Sequence, residues 1–157
     1  MTIWNDPWRA NLPATRDQVQ QWGDGFLIEK EITFTAATAD DVFAVTGVVA
    51  VRVFGIITVQ TTTTTATAEL GTGDTTDALI DTTSGANLST ADVGAVWHND
   101  APQTNPEVGV GAFDSDMTII SGEDIVLTSG ASLDDGSIMF YCYWKPISED
   151  GTVEPAS

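Results

Sequence analysis

Cysteine, histidine and basic residues are all scarce in this 157-residue chain: one Cys, one His, and five Lys plus Arg against 23 Asp plus Glu, for a formal net charge of −18. The lone Cys142 excludes an intramolecular disulfide, which fits folding in a reducing compartment. It falls inside an apolar strand pattern, where a thiol is a small buried hydrophobe rather than a nucleophile. His98 stands between Trp97 and Asn99. A hydrolytic zinc site takes two or three His or Cys ligands, and this chain has one of each, far apart. No nucleophile elbow, phosphate-binding loop or dinucleotide glycine pattern is present, and Gly23-Asp24-Gly25 and Gly71-Thr72-Gly73 read as turns. The chain is therefore expected to have no enzymatic activity and to take no cofactor.

Long apolar runs are missing as well. The most hydrophobic stretch, Val42–Val59, carries Arg52 at its centre together with Thr46, Gly47, Gly55 and Thr58, which makes it a poor membrane span. The N-terminus lacks the charged-then-apolar layout of a signal peptide, so the Asn87-Leu88-Ser89 sequon reads as accidental. A surface this acidic repels phosphate backbones and anionic lipid, so neither nucleic acid nor membrane is an expected partner.

Carboxylates are the abundant chemical group. Asp114/Asp116 and Glu123/Asp124 are the closest candidates for a Ca²⁺ loop or an acid–base pair, but neither has EF-hand spacing, and Asx-turn and solvation roles outweigh ion binding.

Segments with helical periodicity are missing too, which excludes a parallel βαβ architecture. What is present alternates with period two. Phe26, Ile28, Ile32 and Phe34 share one face of a half-buried strand, with Lys30 the one polar intruder. Val48–Gln60 is the strongest element. Val49, Val51, Val53, Ile57 and Val59 form an apolar face with Gly55 as its gap, and that glycine suggests a bulge or bend. The opposite face carries Val48, Ala50, Arg52, Phe54, Ile56, Thr58 and Gln60. It is too greasy for free water along its length and needs a second sheet, the N-terminal segment or a neighbouring subunit to cover it. The strand is expected to continue through Thr61–Thr65 to about Leu70, because β-branched threonine suits exposed strand positions.

Further strands are expected at Val42–Val45, Ala78–Asp81 and Val108–Phe113, and a helical turn within Ser89–Val96. Met117–Ser121 and Ile125–Thr128 read as a hairpin, and Asp135-Gly136 as a tight turn. In Ser137–Ile147, Ile138, Phe140, Cys142 and Trp144 share one face and Met139, Tyr141, Tyr143 and Lys145 the other. The fold class is thus all-β: an antiparallel jelly roll or β-sandwich of about 8–10 short strands, with an extended N-terminal arm and one short helix.

The domain layout read from these patterns is an arm over residues 1–25, a β domain over 26–148 and a polar tail over 149–157. Three of the five tryptophans (Trp4, Trp8 and Trp22) and three of the five basic residues (Arg9, Arg16 and Lys30) fall in the first thirty positions. Residues 1–35 carry a net charge of −2 and residues 36–157 one of −16. A short helix over Arg16–Trp22, capped by Thr15 with Gln18 and stopped by Gly23, is too short to stand alone and needs a surface for Val19 and Trp22. Aromatic side chains dominate buried interface energy. The candidate partner-binding residues are therefore Trp4, Trp8, Arg9, Arg16, Val19 and Trp22 in the arm, and Arg52 and Phe54 on the mixed strand face.

Three stretches together resemble the small capsid decoration proteins (head-stabilising or cement proteins) of tailed phages. They are Asp40-Asp41-Val42-Phe43-Ala44-Val45-Thr46-Gly47 running into Val48–Val59, Ala66-Glu69-Leu70-Gly71-Thr72 followed by Ala78-Leu79-Ile80, and the closing Gly136–Ser148. The resemblance implies a non-enzymatic jelly-roll subunit, often trimeric, made in the host cytoplasm and seated on the outer surface of the virion head. Its partners would be the major capsid protein and further copies of itself. The alternative is a glycan-binding module of a phage fibre or tail, with tryptophans such as Trp97 stacking on sugars.

Overall fold

The computed structural model describes residues 25–35, 39–65, 67–98, 117–129 and 133–157. The arm, with Trp4, Trp8, Arg9, Arg16, Val19, Trp22 and the helix expected over Arg16–Trp22, lies outside the described residues. So do the strand expected at Val108–Phe113 and the Asp114/Asp116 pair.

Among the described residues, ten strands make two antiparallel sheets. Sheet A has the order β1-β9-β3-β6, from Phe26–Thr33 (β1), Ser137–Pro146 (β9), Val48–Val59 (β3) and Val96–Trp97 (β6). Thr118–Ser121 (β7) pairs with β3 on the same side as β6, against Val48–Val51, while β6 takes Gly55 and Ile56. Sheet B has the order β10-β2-β8-β4-β5, from Thr152–Pro155 (β10), Ala39–Thr46 (β2), Ile125–Ser129 (β8), Thr67–Thr72 (β4) and Ile80–Ser84 (β5). The one helix among the described residues is Gly85–Thr90 (α1), which overlaps the turn expected within Ser89–Val96 only at Ser89 and Thr90. The molecule is an all-β sandwich, as the period-two alternation predicts.

The core lies between the sheets. Val49, Val51, Val53 and Ile57 of β3 and Ile138, Phe140 and Cys142 of β9 meet Val42, Phe43, Leu70, Ile80 and Leu127 of sheet B, all buried. Cys142 is free and buried, and burial pushes its thiol up to about 12. Such a group stays protonated and inert at neutral pH.

Gly55 does not mark a bulge. It pairs in regular register with Phe140 on one side and Trp97 on the other, and the irregularity in β3 falls later, between Ile57 and Val59. The missing side chain serves packing instead. Phe140 and Trp97 stand two strands apart, about 10 Å across a sheet, yet their rings lean over Gly55 to a centroid distance of 5.9 Å at 58°. A Cβ at Gly55 would meet Ile138 Cγ2 at 2.6 Å and Phe140 Cε1 at 3.2 Å.

Lys30, in the same inward row as Phe140, is the polar intruder with a purpose. Its Nζ donates to the backbone carbonyls of Asp41 and Ala156, each at 2.8 Å, and so ties the edge of sheet A to sheet B. The segment read as a polar tail is held by that contact and forms β10. Val153 is buried, Thr152–Pro155 pair with Phe43–Thr46, and Ala156 N donates to Val42 O at 3.1 Å. Pro155 is admissible because β10 is an edge strand and needs no donor on its outer side.

Two other expectations are corrected. Thr118–Ser121 and Ile125–Ser129 are not a hairpin, because the chain crosses between sheets at Gly122, whose φ is 65° and whose N–H donates to Gly47 O at 2.8 Å. The threonine run does not extend β3. Strand β3 stops at Val59, and Thr61–Thr63 wrap the turn before β9. The Asp135 carboxylate accepts from Thr61 Oγ1, from Thr62 N at 2.9 Å and Oγ1, and from Thr63 Oγ1 at 3.2 Å, while Asp134 takes Thr63 Oγ1 at 2.7 Å. Gly136 follows with φ 95°, as the Asp-Gly turn signal requires.

These bonds, led by that from Thr61, hold the Asp135 carboxyl well below its ordinary value of 3.8. A carboxyl depressed in the folded state contributes stability that is complete above the unfolded value and is lost as pH falls below it. Urea unfolding at pH 6 and at about pH 3 is expected to show a larger acid loss for the native chain than for Asp135→Asn. Equal losses would remove this carboxylate from the acid response.

Candidate interaction face

Alternation along β1, β9 and β3 sends every second side chain away from the core. Register then sorts these outward residues into rows across sheet A: Leu27, Tyr143 and Arg52; Glu29, Tyr141 and Phe54; Glu31, Met139 and Ile56. Strand β7 adds Ile119 beside Ala50, next to Lys145. Sheet B packs on the opposite side, so among the described residues no second sheet covers this face.

The two mixed-face residues singled out in the sequence, Arg52 and Phe54, lie together here. Phe54 stacks on Tyr141 with ring centroids 5.3 Å apart and on Tyr143 at 6.4 Å. The Arg52 guanidinium carbon lies 5.2 Å from the Tyr143 ring centroid, a cation–π arrangement. At the margins Leu27 is 49% and Ile119 66% exposed. The sequence places Tyr141 and Tyr143 on one side of their strand but gives no local sign that β3 lies alongside them.

Charge on this face is divided laterally. Glu29 and Glu31 are on β1, and Glu31 accepts from Thr58 Oγ1 of β3 at 2.7 Å. Arg52 is on β3 and Lys145 on β9. These are the two cations of the acidic span 36–157, and both belong to this face, whereas Lys30 turns inward to its two carbonyls.

Other candidate chemistry does not assemble. His98 is buried. Asp124 Oδ1 accepts from Val45 N at 2.9 Å, a backbone-capping role. No group of three or more His, Cys, Asp or Glu side chains able to hold a metal occurs among the described residues. Trp97 is 0% exposed and Trp144 9%, the latter stacked on Phe26 at 4.7 Å, so neither offers a ring face to a sugar. Among the described residues no helix is long and apolar enough to cross a membrane.

No protein-family model matches the chain, and no curated protein or solved structure matches it. The geometry defines a β-sandwich with one tyrosine- and phenylalanine-bearing sheet face set in an acidic surface.

Proposed function

We propose that the chain is a structural virion protein that seats on the outer surface of a phage head and stabilises it, acting as a homotrimer. The observation that carries this reading is the half-buried aromatic band of Phe54, Tyr141 and Tyr143 on a sheet face that no second sheet covers among the described residues. Contiguous apolar area rimmed by charge marks a surface for protein–protein contact.

The strand order supports the jelly-roll form. β1-β9-β3-β6 faces β2-β8-β4-β5, with successive strands alternating between sheets for most of the chain. That is how eight strands fill two four-stranded sheets in a jelly roll, with β7 extending the first sheet and β10 the second. The acidic composition supports a solvated outer surface, and the aromatic, nearly neutral residues 1–25 suit a docking segment. A protein that binds only the expanded shell stabilises that state by its binding free energy, and many copies multiply a modest gain per site.

The test is co-sedimentation with expanded heads. The full chain is expected to pellet with heads, and the chain lacking residues 1–25 to remain in the supernatant as a folded β domain. Undiminished attachment of the truncated chain would remove the arm from the interface. The glycan-binding alternative loses Trp97 and Trp144 as platforms because both are buried.

A further inference from the structure

We propose that the outer face of sheet A is a joint between copies of this chain, in which Arg52 on β3 of one copy meets Glu29 on β1 of the next. The proposal rests on the homotrimer reading above and deepens it by assigning the surface and the contacts.

Electrostatics select the face. Each chain carries a net charge of −18, so two copies repel unless opposite signs meet where they touch. Lys30 is committed to the carbonyls of Asp41 and Ala156 inside the sandwich. Arg52 and Lys145 both belong to the sheet A face that also carries the aromatic band. A copy of this chain, rich in carboxylates, is a matching occupant.

The lateral arrangement selects the pairing. Glu29 belongs to the row of Tyr141 and Phe54, and Arg52 to the neighbouring row of Tyr143 and Leu27. β9 lies between β1 and β3, so the two charges stand two strands apart, about 10 Å. The Arg52 guanidinium rests over the Tyr143 ring rather than reaching across β9 to Glu29. Glu29 thus lies on the β1 side of the face and Arg52 on the β3 side, with Tyr141, Tyr143 and Lys145 of β9 between. The two sides are complementary head to tail: the β3 side of one copy meets the β1 side of the next, and the tyrosines and Phe54 supply the area that excludes water. Contacts of this type close into rings when the rotation permits. Arg52, already stacked on Tyr143, is held ready for a carboxylate and loses little freedom on meeting one.

The experiment uses the full chain and reads mass in solution by sedimentation equilibrium over a concentration series, with circular dichroism to verify folding. The native chain is expected to assemble to a multiple of 16.6 kDa. Arg52→Glu and Glu29→Arg are each expected to weaken assembly by roughly tenfold or more, as truncation or reversal of one partner of an interfacial charge pair does. The double variant Arg52→Glu/Glu29→Arg, which restores opposite signs across the joint, is expected to recover assembly. Arg52→Gln serves as the milder variant if charge reversal impairs folding, and it is expected to weaken assembly in the same direction.

A monomeric native chain, single variants that assemble like the native chain, or a double variant no better than the singles would each overturn the proposal. Head binding, measured separately, keeps the two readings apart. A monomer that attaches to heads sinks the joint and leaves the decoration role standing. An assembling chain that ignores heads sinks the decoration role and leaves the joint.

Discussion

Replacing Phe140 with alanine is expected to destabilise the fold by about 3–5 kcal/mol, the usual range for removing a large aromatic from a core. Phe140 is 0% exposed and sits in the central strand pair of sheet A, directly opposite Gly55. Its ring fills the space above that glycine and tilts against Trp97. Removal leaves a void whose floor is backbone, which collapses poorly, so both the transfer loss and the cavity loss apply. For a chain of this size the melting temperature is expected to fall by roughly 6–20 °C. Chemical denaturation should show a lower midpoint at an unchanged slope. A loss under 1 kcal/mol would show that the ring does not organise this part of the core.

The second large effect is expected from a single added methyl. A Cβ at Gly71 would lie 2.1 Å from Thr75 O, 2.5 Å from Thr76 C and 2.6 Å from Thr76 O, all backbone atoms that cannot rotate away. The turn is pinned over this site, because Thr72 N donates to Thr75 O at 2.8 Å and Leu79 N to Leu70 O at 3.0 Å. Gly71→Ala therefore forces the turn off β4 and strains the Leu70↔Ile80 pairing with β5. A loss of about 3 kcal/mol is expected, the upper end for overpacking against atoms that must move together. Hydrogen exchange is the informative readout. Amides of β4 and β5 should lose protection while those of β3 and β9 keep theirs relative to global stability. Protection unchanged at β5 would show that the turn yields without cost.

The legible part of this fold was the part with strong alternation. Phe26–Thr33, Val48–Val59 and Ser137–Pro146 each carry one apolar and one mixed face, and all three belong to sheet A. Sheet B is harder to read because four of its five strands have six residues or fewer and β2 breaks its alternation between Asp41 and Phe43. Strand β10, with Val153 as its one buried side chain, has too few residues to show a period. The β7–β8 connection misleads because a glycine turn between two apolar runs looks the same whether the chain reverses within a sheet or crosses to the other one.

The same distinction holds at the candidate face. Arg52 and Phe54 stand out because they interrupt a valine-rich strand, and alternation alone gives their side. Tyr141 and Tyr143 join them only through the β3–β9 register, which no local pattern encodes. A glycine in mid-strand signals a backbone feature, whereas Gly55 makes room for two rings from strands on either side.

Strand β10 bears on what the molecule avoids. An uncovered sheet margin is a template on which further chains can add, one after another, without limit. Here the margin of sheet B beyond β2 is closed by four residues that end in Glu154 and Pro155, a negative charge and a residue with no amide hydrogen to offer. Strand addition at this margin is thereby blocked, and the block resides in Glu154 and Pro155.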